Sequence, residues 1–331
     1  MGLFGSSTLL DWLETYTFPV ESRFGSPPDP KTGHQTQTDP KDAPLLAQQI
    51  YDQVISRTLS HGTTCASYYA TNHVPATNAL SSLCHTRGQR AFIGRACMDN
   101  PKFCVDYYHD FSAEDSIVAT RQTIEYIHTL DPEGNLVKPI VTPRFAPSCT
   151  RLALQNLGEL AASYSPPLHV QTHISENVNE LALVKELFPE ADSYAAVYDK
   201  YKLLTPRTIL AHAVHLSADE RALIRAREAK ISHCPASNSA LGSGICPVRT
   251  LLDEGITVGL GTDVSGGYSP SILEAARQAC LASRLLGQSA AWQRDHSQSL
   301  DGKGSDGREK LSVPESLYLA TRGGAAVVDM A

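Results

Sequence analysis

The stretch Leu168-His169-Val170-Gln171-Thr172-His173-Ile174-Ser175-Glu176 reads as a short strand that stops on a histidine, with a carboxylate three residues later. A histidine and a glutamate at the carboxyl end of a parallel strand are what a metal-activated water and its proton carrier need. The plainer explanation is a buried strand with an incidental histidine and a helix-capping glutamate. Other strand ends tilt the balance toward chemistry. The run 137–145 ends in Arg144-Phe145, the run 208–212 ends in Ala211-His212, and the run 256–263 ends in Gly261-Thr262-Asp263, followed by Gly266-Gly267. In a parallel barrel these ends point at one mouth. His173, His212 and Asp263 are suitable partners for a Zn²⁺ and its water, with Glu176 beside them.

Neighbouring residues carry plainer assignments. His215, one turn beyond His212, reads as a surface or capping residue. His169 reads as a buried or outward-facing strand residue. In His233-Cys234-Pro235-Ala236-Ser237-Asn238, a structural turn is preferred over a ligand role for His233 or Cys234. Arg144 suits either a salt bridge or, as a planar donor fork beside an aromatic, a flat heterocycle bearing a carbonyl oxygen.

The elements that must position these residues follow a rhythm. Strand-like runs at 63–70, 90–98, 137–145, 168–173, 208–212, 230–233 and 256–263 alternate with helix-like segments at 76–88, 113–130, 150–163, 177–187, 218–227 and 248–255. Ser217-Ala218-Asp219-Glu220 is a capping box, and Ser269-Pro270 is expected to open a helix with proline in its first position. The alternation predicts an α/β fold, a parallel TIM-type (β/α) barrel with helices outside, forming one domain over 1–331. Seven strand–helix units are legible where a barrel needs eight, and nothing before Thr63 reads as a buried strand. Upstream, a helix-like pattern over 8–16 is expected to end at Pro19, and another runs over 44–59. Polar loops are expected near 25–42 and 288–310, and a last helix over 314–321.

Composition narrows the partners. In 331 residues, 42% hydrophobic and 19% charged content allows a sizeable core. A net charge of -7 argues against a nucleic-acid polyanion, although it admits a single nucleobase. The eight cysteines form no CxxC pair and read as reduced, buried thiols of a cytoplasmic protein. No run has the apolar length of a membrane span. Met1-Gly2-Leu3-Phe4-Gly5-Ser6 fits the myristoylation pattern, but no polybasic patch follows it and no membrane association is expected.

Together the pieces resemble the guanine deaminase family of the amidohydrolase superfamily. They are Gln171-Thr172-His173-Ile174-Ser175-Glu176, the Ala211-His212 end, His233 to Asn238, and Gly259-Leu260-Gly261-Thr262-Asp263-Val264-Ser265-Gly266-Gly267-Tyr268-Ser269. Thr142-Pro143-Arg144-Phe145, His61-Gly62-Thr63-Thr64 and Tyr16-Thr17-Phe18-Pro19-Val20-Glu21 fit the same family. The resemblance implies hydrolytic deamination of guanine to xanthine and ammonia with one zinc, and suggests a homodimer. It makes His173 and Asp263 zinc ligands, with His212 a further candidate that contacts the water or substrate. Glu176 becomes the proton carrier, and Asp263 helps deprotonate the water. Arg144 and Phe145 hold the purine, which His173, Glu176 and Asp263 also face.

The resemblance is incomplete. The family's first strand ends in a His-x-His pair of zinc ligands, shortly followed by a substrate-binding glutamine. No His-x-His occurs here, and no counterpart of the family's small β-sandwich is expected. The expectation is a barrel missing its first strand, with a weakened zinc site and impaired activity. Two other readings stay open: an amidohydrolase acting on a different heterocycle, and a non-catalytic remnant that binds a partner through an open sheet edge.

Overall fold

A computed structural model describes residues 8–25, 39–289 and 307–331. The N-terminal hexapeptide and most of the expected loops near 25–42 and 288–310 lie outside the described residues.

The central strand, β5 (His169–Ile174), sets the plan. Side chains of a strand alternate between faces. Val170 and Ile174 join the largest apolar cluster, which lies between sheet and helices and includes Leu154, Leu210 and Ile231. His169, Gln171 and His173 therefore face inward, at the bottom, middle and top of the curled sheet. His169 is thus inward-facing and buried, not outward-facing. Gln171 is fully buried and its polar atoms are satisfied across the interior. It accepts from Ser67 Oγ (2.6 Å) and donates to Tyr68 O (2.8 Å) and Thr142 Oγ1 (3.0 Å). A buried amide left without such partners costs about 1–3 kcal/mol, so this cross-link specifies the curl.

The other strands are β1 (Cys65–Tyr69), β2 (Arg90–Gly94), β3 (Ala96–Cys97), β4 (Val137–Pro143), β6 (Thr208–His212), β7 (Lys230–His233) and β8 (Val258–Leu260). All named strand pairs are parallel, in the order β1-β2-β4-β5-β6-β7-β8, with β3 also on β4. All seven expected strands form, flanked by helices, so the architecture is that of a TIM-type barrel. The run 90–98 is split in two. A Cβ at Gly94 would lie 1.8 Å from Thr142 Oγ1, so only glycine permits this close approach where the strand breaks. Among the described residues β1 pairs only with β2 and β8 only with β7, so hydrogen bonds do not close the sheet. Near its lower end Val327 and Val328 pack with the inward-facing Phe92, Ile140 and Ile209, and Asp329 accepts from Lys230 and pairs with His169.

Helices follow the expected positions, with the Ser217–Glu220 capping box present. Two short helices, Tyr194–Lys200 and Pro235–Ala240, were not expected. Ser271, not Ser269-Pro270, caps the helix Ile272–Leu286, because its side chain accepts from Glu274 N–H. Pro19 does not end the N-terminal helix. The segment widens into a π turn (Leu13–Thr17) in which Phe18 N–H reaches Leu13 O, and helix continues through Phe18–Glu21. The wider turn seats the proline ring, which has no N–H to offer. All eight cysteines are free; Cys65 and Cys280 are only half-buried, the rest buried. No helix among the described residues is long and apolar enough to cross a membrane.

Candidate active site

A cavity of about 750 Å³ opens at the carboxyl ends of the strands and runs down between β1 and β8. Arg144, Phe145, His173, Glu176, His212 and Asp263 all line this one cavity.

Each histidine arrives with its ring fixed. His173 Nδ1 lies 2.6 Å from Arg144 O, which assigns the proton to Nδ1 and leaves Nε2 as the ring's lone-pair atom. Burial, then the neighbouring His212, lowers its pKa to about 3, so the ring is neutral. His212 Nδ1 lies 2.8 Å from Asn238 Oδ1, which likewise directs Nε2 away. The two rings stack at 5.4 Å between centroids. This second layer of hydrogen bonds is typical of metal-binding histidines. His212 and Ala213 both have positive φ (74° and 52°), a turn that aims the ring end-on at the cavity.

Glu176 is 2% exposed. Its Oε1 accepts from Ser243 Oγ at 3.0 Å, and its Oε2 stands 3.4 Å from His212 Nε2. Burial raises its pKa to about 7, Asp263 and Glu180 add to the rise, and His212 and Ser243 oppose it. Burial disfavours charge on His212, but Glu176 and Asp263 outweigh it and its pKa is raised. A carboxyl group poised near neutrality can both give and take a proton. Beneath it, Glu180 Oε2 accepts from the Glu176 and Asn177 N–H groups (2.7 and 3.2 Å), and Tyr194 OH donates to Glu180 Oε1 (2.8 Å). Asp263 sits on a left-handed turn (φ 45°). A Cβ at Gly266 would fall 2.5 Å from Asp263 Oδ2, so glycine there leaves the carboxylate its place.

Arg144 is nearly buried and donates to both oxygens of Glu21, through Nη1 (2.6 Å) and Nη2 (2.9 Å). Phe145 packs edge-on to Phe103, with ring centroids 5.0 Å apart. The N-terminal helical segment covers this side of the cavity, with Trp12 and Leu13 among its walls. His215 holds the loop of Ser243 through its carbonyl (2.7 Å), a structural role. Cys234 lines the cavity and His233 does not. Glu21, Ser243, Asn238 and Glu180 carry much of this arrangement, and no role was expected for them from sequence, although Glu21 and Asn238 fall in stretches that carry the family resemblance. Of the other two, Glu180 held a local signal, because Asn177-x-x-Glu180 is a capping pattern ahead of an apolar segment.

Among the described residues no group of three or more His, Cys, Asp or Glu side chains gathers to hold a metal ion. Zinc sites use at least three protein ligands. The residues described do not by themselves fit a complete zinc site.

The amidohydrolase family profile matches residues 1–331. A probable guanine deaminase of Schizosaccharomyces pombe is 51% identical over 320 residues, covering 97% of this chain and 54% of the relative. The guanine deaminase of Dictyostelium discoideum is 42% identical over 325 residues, covering 97% of this chain and 63% of the relative. The chain thus spans roughly half to under two thirds of these relatives. The crystal structure of guanine deaminase from C. acetobutylicum with guanine bound in its active site superposes with a TM-score of 0.82 at 34% identity, covering 99% of this chain and 70% of that one.

Proposed function

The chain belongs to the amidohydrolase family, and from that premise we propose that its site serves the hydrolytic deamination of guanine to xanthine and ammonia. The observation that carries this reading is Glu176: a buried carboxyl group held near neutrality, aimed at His212 Nε2 beside Asp263. Water supplies the oxygen that replaces the 2-amino group. Asp263 is the acceptor for a proton of the attacking water. Glu176 gives its proton to the ring nitrogen, takes up the remaining proton of the added hydroxyl as the carbonyl forms and delivers it to the departing amine, which leaves as ammonia; the proton held by Asp263 then restores Glu176. Arg144 donates to the purine carbonyl, Phe145 packs against the ring, and His173 and His212 border the reacting carbon. The likeness to a guanine-bound relative supports guanine over other amino-heterocycles.

Zinc is the cofactor the family resemblance implies. His173 and Asp263, with His212 as a further candidate, are the donors this chain would contribute, and they fall short of a complete set. We further propose a cytoplasmic location and a homodimer. The test is ammonia release from guanine, adenine, cytosine and an aminotriazine. Preference for guanine is expected; equal or faster turnover of another base overturns the reading.

A further inference from the structure

We propose that Glu21 is a positioning residue that determines specificity, fixing the plane of the Arg144 guanidinium and cancelling its charge so that the cavity selects an uncharged, carbonyl-bearing ring over an anionic one. This rests on the reading that Arg144 receives the oxo group of a purine.

The two residues lie far apart in sequence and meet across the cavity mouth. Glu21 accepts from both terminal nitrogens of Arg144 in a bidentate fork. Tyr108, itself fully buried, donates to Glu21 Oε2 at 2.7 Å and accepts from Asn72 N–H at 3.0 Å. The carboxylate is therefore held from the barrel side as well as by the arginine. Phe18 lies under the guanidinium, 5.2 Å from ring centroid to Cζ. The fork fixes the edge of the plane and Phe18 fixes one face. Among the described residues no other protein acceptor engages this guanidinium. Arginine has five N–H donors, so donors remain for a ligand in a set orientation.

Charge follows from the same geometry. The side chains of Arg144 and Glu21 are 10% and 23% exposed. An unpaired guanidinium so enclosed would attract anions strongly. Paired with Glu21 it presents directed N–H groups with little net charge, which suits a neutral carbonyl oxygen. Because Glu21 belongs to the helical segment that also brings Trp12 and Leu13 over the cavity, the same contact ties that cover to the ligand-binding arginine.

The test measures binding of guanine, of 2-aminopurine, which lacks the oxo group, and of xanthine as its anion at alkaline pH. The full chain is used, with the variants E21Q, E21D, Y108F and R144M. E21Q is expected to weaken guanine binding about tenfold or more, the size expected for a lost charge-assisted pair, and to leave 2-aminopurine within about twofold. The xanthine anion should bind E21Q more tightly than wild type, a gain that loss of structure would not produce. E21D, which keeps the charge, should recover part of the guanine preference, and Y108F should fall between wild type and E21Q. Equal weakening of guanine and 2-aminopurine by E21Q, or no gain for the anion, overturns the proposal. If R144M loses guanine binding and E21Q does not, Glu21 is excluded while the purine reading stands. If wild type itself does not favour guanine over 2-aminopurine, the purine reading falls and this proposal with it.

Discussion

Glu176 Oε2 and His212 Nε2 stand 3.4 Å apart, each side chain 2% exposed. They come from successive strand ends, β5 and β6, whose registers pair Ile174 with His212. Parallel pairing brings the acid and the ring to the same height, and burial makes each sensitive to the other's charge.

The Glu176 pKa has a consequence for stability. Its folded value is raised from 4.5 to about 7, with burial the main cause. The folded state therefore binds the proton more tightly than the unfolded state between those values. The stabilising contribution is full below about 4.5 and is lost as pH rises through about 7. Urea unfolding across this range should show wild type losing stability relative to E176Q as pH increases. A gap between the two that is constant with pH would contradict it.

A second buried pair is structural. Arg95 and Asp110 form an ion pair with side chains 2% and 5% exposed, and Asp110 Oδ2 also accepts from Met98 N–H (3.1 Å). Removing one partner strands a buried charge, so D110A is expected to destabilise the fold by about 3–5 kcal/mol. Denaturant unfolding checks this; a change below about 1 kcal/mol would mean that the pair is solvated on removal of its partner.

Metal affinity follows from the donor set. With no three-donor group among the described residues, the chain is expected to hold zinc weakly, losing it on dialysis against a mild chelator. Metal analysis after dialysis measures this. Near-stoichiometric retained zinc would contradict it.

What the sequence revealed follows from the range of each interaction. The strands around the site were legible because their apolar runs end on His173, His212 and Asp263, and a parallel sheet brings its ends to one side. The inward direction of His169 was not legible, since it depends on which face of β5 meets the helices. Pro19 misled because its local rule assumes an α-helix, whereas a π turn relieves the clash. Glu21, Ser243 and Asn238 reach Arg144, Glu176 and His212 through contacts between residues distant in sequence, and nothing in their local spacing announces that role.

The proton-carrying role proposed for Glu176 in guanine deamination rests on its buried position 3.4 Å from His212 Nε2. Its most direct test is ammonia release from guanine by the zinc-supplemented chain and by its E176Q variant, side by side. A slow, guanine-dependent release that disappears in E176Q is the predicted result. Release that persists unchanged in E176Q would contradict the account, because another group would then be handling the proton.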